Sequence, residues 1–432
     1  MSLVSFLRRV QTYYRRLPAA RAFLERHGLR ATVMRVLDEL APSAPQDGLS
    51  AVSRWLDNAK PGAAPRTADL RALARPTIAI IGALDLPQCK KYRILQKIEQ
   101  LDVHGCRVVI SNYFDVPRSF DVLQLATGVI FYRVPEGDLF QAYLAEARRL
   151  GLAVTYDIDD PVFCRTIYAT NANLQTLAPA ERAHLLNDSR RYLAAMQQCD
   201  AAILSTPGLI QVARPYMDGK PAYLWRNALD AESQAVCTDV TAGTPARNGA
   251  LRIGYMSGSR AHDLDFALIA PALATVLNRY EHAELVISGH ASVPGPLQAL
   301  QDRIAAYPFS SYPGYFRALR DVDIVVIPLL ADNFNACKSA IRFLEAAAVE
   351  RPCVISMVGD FLNVASHGKT AYLAETESDW VGHLADLIES EERRKRIGVA
   401  ARQTVFAEQT STAIAEMLDP ALLNMLKGES RV

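Results

Sequence analysis

The feature that most constrains this chain is a pattern of short apolar runs separated by helix-length stretches, and the pattern occurs twice. TIAIIGA (77–83), RVVIS (107–111), GVIFYR (128–133), AVTYDI (153–158) and AAILST (201–206) read as buried strands, with helices between them, as at 136–150 and 179–198. Strands this apolar must be covered on both faces, which helical crossovers achieve in a parallel sheet. The stretch AESQAVCTDVTAGTPARNGA (231–250) then breaks the rhythm with small polar residues and reads as a linker. The alternation restarts with LRIGYMS (251–257), ELVISG (284–289), DIVVIPL (323–329) and PCVISM (352–357), with helices at 264–279, 336–349 and from about 377. The expected fold class is α/β: two Rossmann-like domains facing each other across a cleft, with an extra helical N-terminal segment. The expected boundaries are 1–75 for the N-terminal extension and its linker and 76–230 for the first domain. A linker at 231–249, the second domain at 250–405 and a C-terminal helix at 406–432, packing back on the first domain, complete the order. Ligands in such folds bind at the carboxyl ends of the strands, so the cleft is the expected site.

Composition narrows the partners. With 432 residues, 50% hydrophobic, 22% charged and a net charge of +1, the chain has no global field that would attract nucleic acid. Seven dispersed cysteines without a C-x-x-C pair argue against a disulfide framework or structural zinc, and for a reduced, cytoplasmic protein. The start, MSLVSFLRRV, does not read as a signal peptide. Residues 1–40 carry eight Arg against Glu25, Asp38 and Glu39, and Leu3, Phe6, Leu7, Val10, Tyr13, Tyr14 and Leu17 recur at helical spacing. Such a helix can lie on an anionic membrane surface or pack on its own domain with a solvated basic face.

Candidate chemistry gathers at strand ends. In DIVVIPLLADNFNACKSAIRFLE (323–345) a buried strand leads through a polar loop into a helix expected near Ala336. On that helix Lys338, Arg342 and Glu345 would share one face, cations near the helix start for phosphate and a carboxylate two turns on for a ribose diol. The turn after LRIGYMS offers Ser257, Gly258, Ser259 and Arg260 as donors to phosphate oxygens, with Asp263 or Asp265 as a helix cap. ISGH (287–290) places Gly289 and His290 at the next strand end. In the first half, YDIDDPVF (156–163) brings Asp157, Asp159 and Asp160 to a strand end. Three readings compete there: a D-x-D metal pair, a phosphatase nucleophile disfavoured by Pro161, and contacts to acceptor hydroxyls; Asp160 could also cap the next helix. CKKYRI (89–94) opens a helix whose Lys90, Lys91 and Arg93 would form a basic cluster facing the cleft. A Ser-His-Asp order, a zinc-protease motif, a Walker loop and a dinucleotide G-x-G-x-x-G are all missing from the sequence.

Taken together, CKKYRI with Gly105, YDIDD (156–160), LST (204–206), WRNALD (225–230), IGYMSGSRAHDLDF (253–266), VDIVVIPL (322–329) and FNACKSAIRFLE (334–345) carry a family resemblance. From about residue 77 to 405 the chain resembles the group-1 glycosyltransferases (glycosyltransferase family 4) of bacterial surface-polysaccharide loci. The resemblance implies a GT-B fold and no metal or other cofactor, with a nucleotide-diphosphate sugar as co-substrate bound mainly by the second half. It also implies a glycan or lipid-linked acceptor bound mainly by the first half, usual retention of anomeric configuration, and work on the cytoplasmic face of a membrane. Carried over, Glu345 falls on the glutamate expected at the ribose, while Cys337 stands where relatives carry a first glutamate for the donor sugar. Asn335, Lys338 or Ser339 would take over that contact, Arg260 is the nearest match to a phosphate cation, and 309–316 falls where relatives grip the base. The expected reacting centre is Asp157, Asp159, Lys338 and Arg260. The expected donor site is Ser257, Gly258, Ser259, Gly289, His290, Phe334, Asn335, Lys338, Ser339, Arg342 and Glu345. Tyr92, Arg93, Asp159 and Asp160 are expected at the acceptor. The alternatives are a sugar-nucleotide epimerase of the same fold and a non-catalytic nucleotide- or glycan-binding relative.

Overall fold

The structure, a computed structural model, describes residues 75–242, 249–258, 262–308 and 310–429. The basic segment 1–40, Ser259 and Arg260 lie outside the described residues. Two six-stranded sheets, parallel throughout, form the two domains. The first contains β1 (Thr77–Gly82), β2 (Arg107–Asn112), β3 (Gly128–Tyr132), β4 (Ala153–Ile158), β5 (Ala201–Leu204) and β6 (Ala222–Leu224), in the order β2-β1-β3-β4-β5-β6. The second contains β7 (Leu251–Ser257), β8 (Ala283–Gly289), β9 (Ile304–Tyr307), β10 (Ile324–Ile327), β11 (Cys353–Ser356) and β12 (Tyr372–Ala374), in the order β12-β11-β10-β7-β8-β9. Every residue of β1 and β3 is buried, as an apolar strand between two helical layers requires. Each sheet reverses its winding direction once, beside β1 and beside β7, and the carboxyl ends at these switch points open onto the space between the domains.

Two connections tie the halves together. The segment after β6 runs into a helix, Ala231–Ala242, so the first part of the stretch read as a linker is ordered structure. Asp230 initiates it by accepting the Ser233 amide at 2.8 Å. Near the C-terminus, the helix Glu391–Glu408 ends and the chain returns to the first domain. The Leu229 backbone holds this return, its amide donating to the Gln409 carbonyl at 2.8 Å and its carbonyl accepting from the Ser411 amide at 2.9 Å. Helices Ser411–Glu416 and Pro420–Lys427 then bury Ile414, Leu422 and Leu426 against Ile78, Ile80 and Ile130. Gly128 permits that seat, because a Cβ there would lie 2.5 Å from the Leu426 carbonyl oxygen.

Candidate functional site

A cleft of about 610 Å³ lies between the carboxyl ends of the two sheets. The first domain lines it with Tyr92, Asp159, Asp160 and Asn227. The second contributes the ends of β7 (Ser257, Gly258) and β8 (Ser288, Gly289), together with Lys338, Ser339, Arg342 and Glu345. These positions bring most of the expected donor residues to one surface. Phe334, Asn335 and His290 are not on it; His290 instead donates its amide to the Ser257 carbonyl at 3.1 Å.

Asp157 and Arg93, expected at the reacting centre and at the acceptor, are in neither place. Both are fully buried. Arg93 donates to Asp157 Oδ1 through Nε at 3.0 Å and Nη2 at 2.8 Å, and Lys97 Nζ reaches Asp157 Oδ2 at 2.6 Å. Arg93 Nη1 also donates to the Trp225 carbonyl at 2.7 Å and to Asn227 Oδ1 at 3.0 Å. The same helical stretch supplies Gln96 to both backbone groups of Ala228 (2.6 and 2.9 Å) and Gln100 to the Trp225 indole (2.7 Å). Residues 93, 96, 97 and 100 thus form a polar row that clamps the WRNALD segment rather than a basic face on the cleft. A buried carboxylate is stable only when paired in this way, and here two cations pair it. Burial, then the Arg93 charge, pulls the Lys97 ammonium down to about 8, against the opposing pull of Asp157. Lys91 is also engaged, with Asp230 at 2.8 Å and Glu232 at 2.6 Å, over the ring of Tyr312.

The expected helix from 336 to 349 starts later. Asn335–Cys337 forms a 3₁₀ turn, Lys338 is extended (φ −71°, ψ 143°), and the α-helix is Ile341–Ala348. The 3₁₀ turn is held by contacts to the first domain. Cys337 is buried in that domain's apolar core, its carbonyl accepts from Thr206 Oγ1 at 2.8 Å, and Phe334 stacks on Tyr168 with centroids 5.6 Å apart. A Cβ on Gly208 would come within 2.6 Å of the Ala336 carbonyl oxygen. Lys338 therefore shares no helix face with Arg342 and Glu345, yet it still borders the cleft with them. Its ammonium lies 5.0 Å above the Phe334 ring and 3.8 Å from Asp160 across the cleft. Arg342 has no carboxylate in ion-pair range among the described residues. Asn335 faces inward, donating to Asp265 Oδ1 at 3.1 Å and to the Leu330 carbonyl at 3.0 Å. Ser339 Oγ accepts from Asn227 Nδ2 at 3.0 Å, which links the Arg93 clamp to the donor loop.

Glu345 is largely buried and takes hydrogen bonds from two phenols. Tyr315 donates to Oε2 at 2.8 Å, and Tyr92, from the other domain, donates to Oε1. Burial pushes the carboxyl up, opposed by these two hydroxyls and by the Arg342 charge. Burial and then the Glu345 charge push both phenols well above their ordinary range, so they remain donors. Tyr92, expected at the acceptor, lines the cleft and also joins the two domains at this carboxylate.

Asp159 and Asp160 share Arg133, whose Nη2 lies 2.7 Å from Asp159 Oδ1 and 2.7 Å from Asp160 Oδ2. Arg133 sits at φ +48°, a strained backbone for a non-glycine residue, at the end of β3. Burial works against ionised Asp160, but Lys338 and Arg133 outweigh it and hold the carboxyl below its ordinary value. Asp160 starts the following 3₁₀ turn without a side-chain cap bond. The sequence reading missed Arg133, although GVIFYR ends on it, and missed His262, which lines the cleft. Asp265 is not a cap; it lies inside its helix and accepts from His262 Nδ1 at 2.8 Å. Among the described residues no group of three or more His, Cys, Asp or Glu is arranged to hold a metal ion, and no helix is long and apolar enough to cross a membrane.

Residues 250–390 match the family model described as group 1 glycosyl transferases. The match spans most of the second domain, which is similar in sequence to that family. Comparison with the curated proteins gives no match. Among solved structures, sucrose-phosphate synthase from Thermosynechococcus elongatus superposes with a TM-score of 0.58 at 14% identity, covering 82% of this chain and 100% of that one. A glycosyltransferase from Rickettsia africae gives 0.56 at 12% identity, covering 83% and 100%. Anabaena HepE in complex with UDP-glucose gives 0.54 at 12% identity, covering 81% and 99%. At these identities the likeness establishes the fold, two Rossmann-like domains in the GT-B arrangement.

Proposed function

We propose that the chain moves a sugar from a nucleoside diphosphate sugar onto a glycan or lipid-linked acceptor of surface-glycan synthesis. The observation that carries this reading is the pair of cations, Lys338 and Arg342, on the cleft wall of the domain that matches the group 1 glycosyl transferase model, in the same cleft as the Ser257–Gly258 strand end. Two cations and a strand-end turn suit a diphosphate, and a diphosphate held there leaves with its developing charge stabilised. Glu345, its carboxylate already fixed by two phenols, would accept the ribose hydroxyls. Asp159 and Asp160, fixed by Arg133 on the opposite wall, would accept hydroxyls of the incoming glycan. HepE is in complex with UDP and UDP-glucose, and TarM of S. aureus with UDP and α-GlcNAc-glycerol, which makes UDP-sugars the first donors to try.

The test is release of free nucleotide from a panel of UDP-, GDP-, ADP- and TDP-sugars, with and without acceptor extract. Release from one donor, stimulated by acceptor, is the expected result. No release from any donor, with nucleotide binding intact, would leave a binding protein and remove the enzyme reading.

A further inference from the structure

The clearest arrangement outside the roles given so far is the His262–Asp265 pair. Asp265 is completely buried and receives four hydrogen bonds. Oδ1 accepts from the Leu330 amide at 2.9 Å and Asn335 Nδ2 at 3.1 Å; Oδ2 accepts from Asn173 Nδ2 at 3.3 Å and His262 Nδ1 at 2.8 Å. Burial opposes the charge on Asp265, but His262 and the Leu330 amide hold the carboxyl below its ordinary value. A carboxylate so engaged can only accept, so the imidazole must carry its proton on Nδ1. Among the described residues, the charged groups around the ring are Asp265, Arg342, Lys338 and Asp160. Burial and then the Arg342 charge pull His262 down to about 4 against the pull of Asp265, which favours the uncharged ring at neutral pH.

The remaining nitrogen, Nε2, then has a lone pair on a side chain that lines the cleft, with no hydrogen-bond partner among the described residues. A lone pair repels a phosphate oxygen and fits an O–H. Lys338 and Arg342, the cations that influence the ring, are the groups suited to the diphosphate; of the two groups that flank a donor diphosphate, the ribose is assigned to Glu345, which leaves the sugar. We propose that His262 is a specificity-determining residue of the donor side, its Nε2 accepting a hydrogen bond from a hydroxyl of the sugar to be transferred. This rests on the glycosyltransferase reading of the cleft. The side chain that would compensate for Cys337, buried in the first domain's core, is then a histidine about 75 positions earlier. Asn173 comes from the first domain, so the hydrogen-bond set that fixes the ring is complete only when the two domains meet.

The test compares affinities of wild type, His262→Phe and His262→Gln for a nucleoside diphosphate and for the matching sugar nucleotide. His262→Phe should leave the diphosphate Kd within about twofold and weaken the sugar nucleotide about tenfold or more, the scale of one lost hydrogen bond. His262→Gln, whose amide oxygen also accepts, should recover part of that loss. Nitrogen-15 spectra of histidine-labelled protein saturated with sugar nucleotide at pH 7 should show His262 neutral with its proton on Nδ1. An imidazolium in the bound state, or equal loss of affinity for diphosphate and sugar nucleotide, would make His262 a phosphate ligand and overturn the proposal. A loss confined to the acceptor KM would overturn it too. Those results leave the donor cleft standing, whereas failure of wild type to bind any nucleotide would remove both readings together.

Discussion

Replacing Asp157 by Asn keeps the side chain's shape and removes the carboxylate that pairs both Arg93 and Lys97. The displacement of Lys97 from its ordinary 10.5 to about 8 corresponds to roughly 3 kcal/mol already working against its buried charge. Without Asp157 the lysine can escape by losing its proton. At pH 7 a neutral Lys97 costs roughly 5 kcal/mol relative to the unfolded chain, so escape adds only about 1–2 kcal/mol. Arg93 has no such escape, because a guanidinium does not deprotonate, and breaking a buried pair costs about 3–5 kcal/mol. Most of the loss should therefore come from the arginine. The pH dependence separates the two contributions. In wild type the unfolded chain holds more protons than the folded one between about 8 and 10.5, so Lys97 adds stability only as pH rises through that window. In Asp157→Asn the folded-state window opens lower, and the deficit against wild type should shrink by about 1.4 kcal/mol per pH unit from pH 6 to 8. Urea unfolding at three pH values, followed by tryptophan fluorescence with Trp225 4.8 Å from the Lys97 ammonium, measures this. A deficit under about 1 kcal/mol, or one that does not change with pH, would refute the buried triad.

Two further outcomes follow from the same geometry. Glu345→Gln should weaken nucleoside diphosphate binding about tenfold or more, since a carboxylate held by two phenols loses its charge-assisted hydrogen bonds; unchanged affinity by calorimetry would remove Glu345 from the ribose. Cys337→Glu, which restores the residue type of the resemblance, should not improve activity. It would place a carboxylate in the first domain's core near Asp160, destabilise by about 3 kcal/mol or more and enlarge the radius of gyration in solution scattering. A stable, compact and more active variant would contradict the buried placement of residue 337.

The main strands were legible because a run such as TIAIIG has no plausible surface position in a soluble sheet. The edge strands β6, β9 and β12 were not, because they are short and partly exposed, unlike the equally short but fully buried β5, β10 and β11. The helix Ala231–Ala242 escaped notice because its buried residues, Ser233 and Cys237, are small and leave no apolar stripe to read. The site was legible as a place more than as a set of roles. Strand ends put Ser257, Gly258, Gly289 and Asp160 on the cleft, as the topology demands. Asp157 went the other way because its partners lie 60 to 64 residues earlier on a different element, and strand position alone does not say which way a carboxylate is satisfied. Lys338 was assigned to a helix by its spacing, yet contacts from Thr206 and Tyr168 override the local preference across residues 334–338.

Lys338 and Arg342 are the proposed grip on the donor diphosphate in the interdomain cleft. Equilibrium titration of UDP, GDP and ADP into wild type and the Lys338→Ala/Arg342→Ala double variant tests that most directly. The account predicts that at least one of the three binds wild type and that the double variant binds it about 100-fold more weakly, the scale of two charge-assisted hydrogen bonds. Equal affinity in the two proteins, or no binding of any nucleoside diphosphate to wild type, would contradict it.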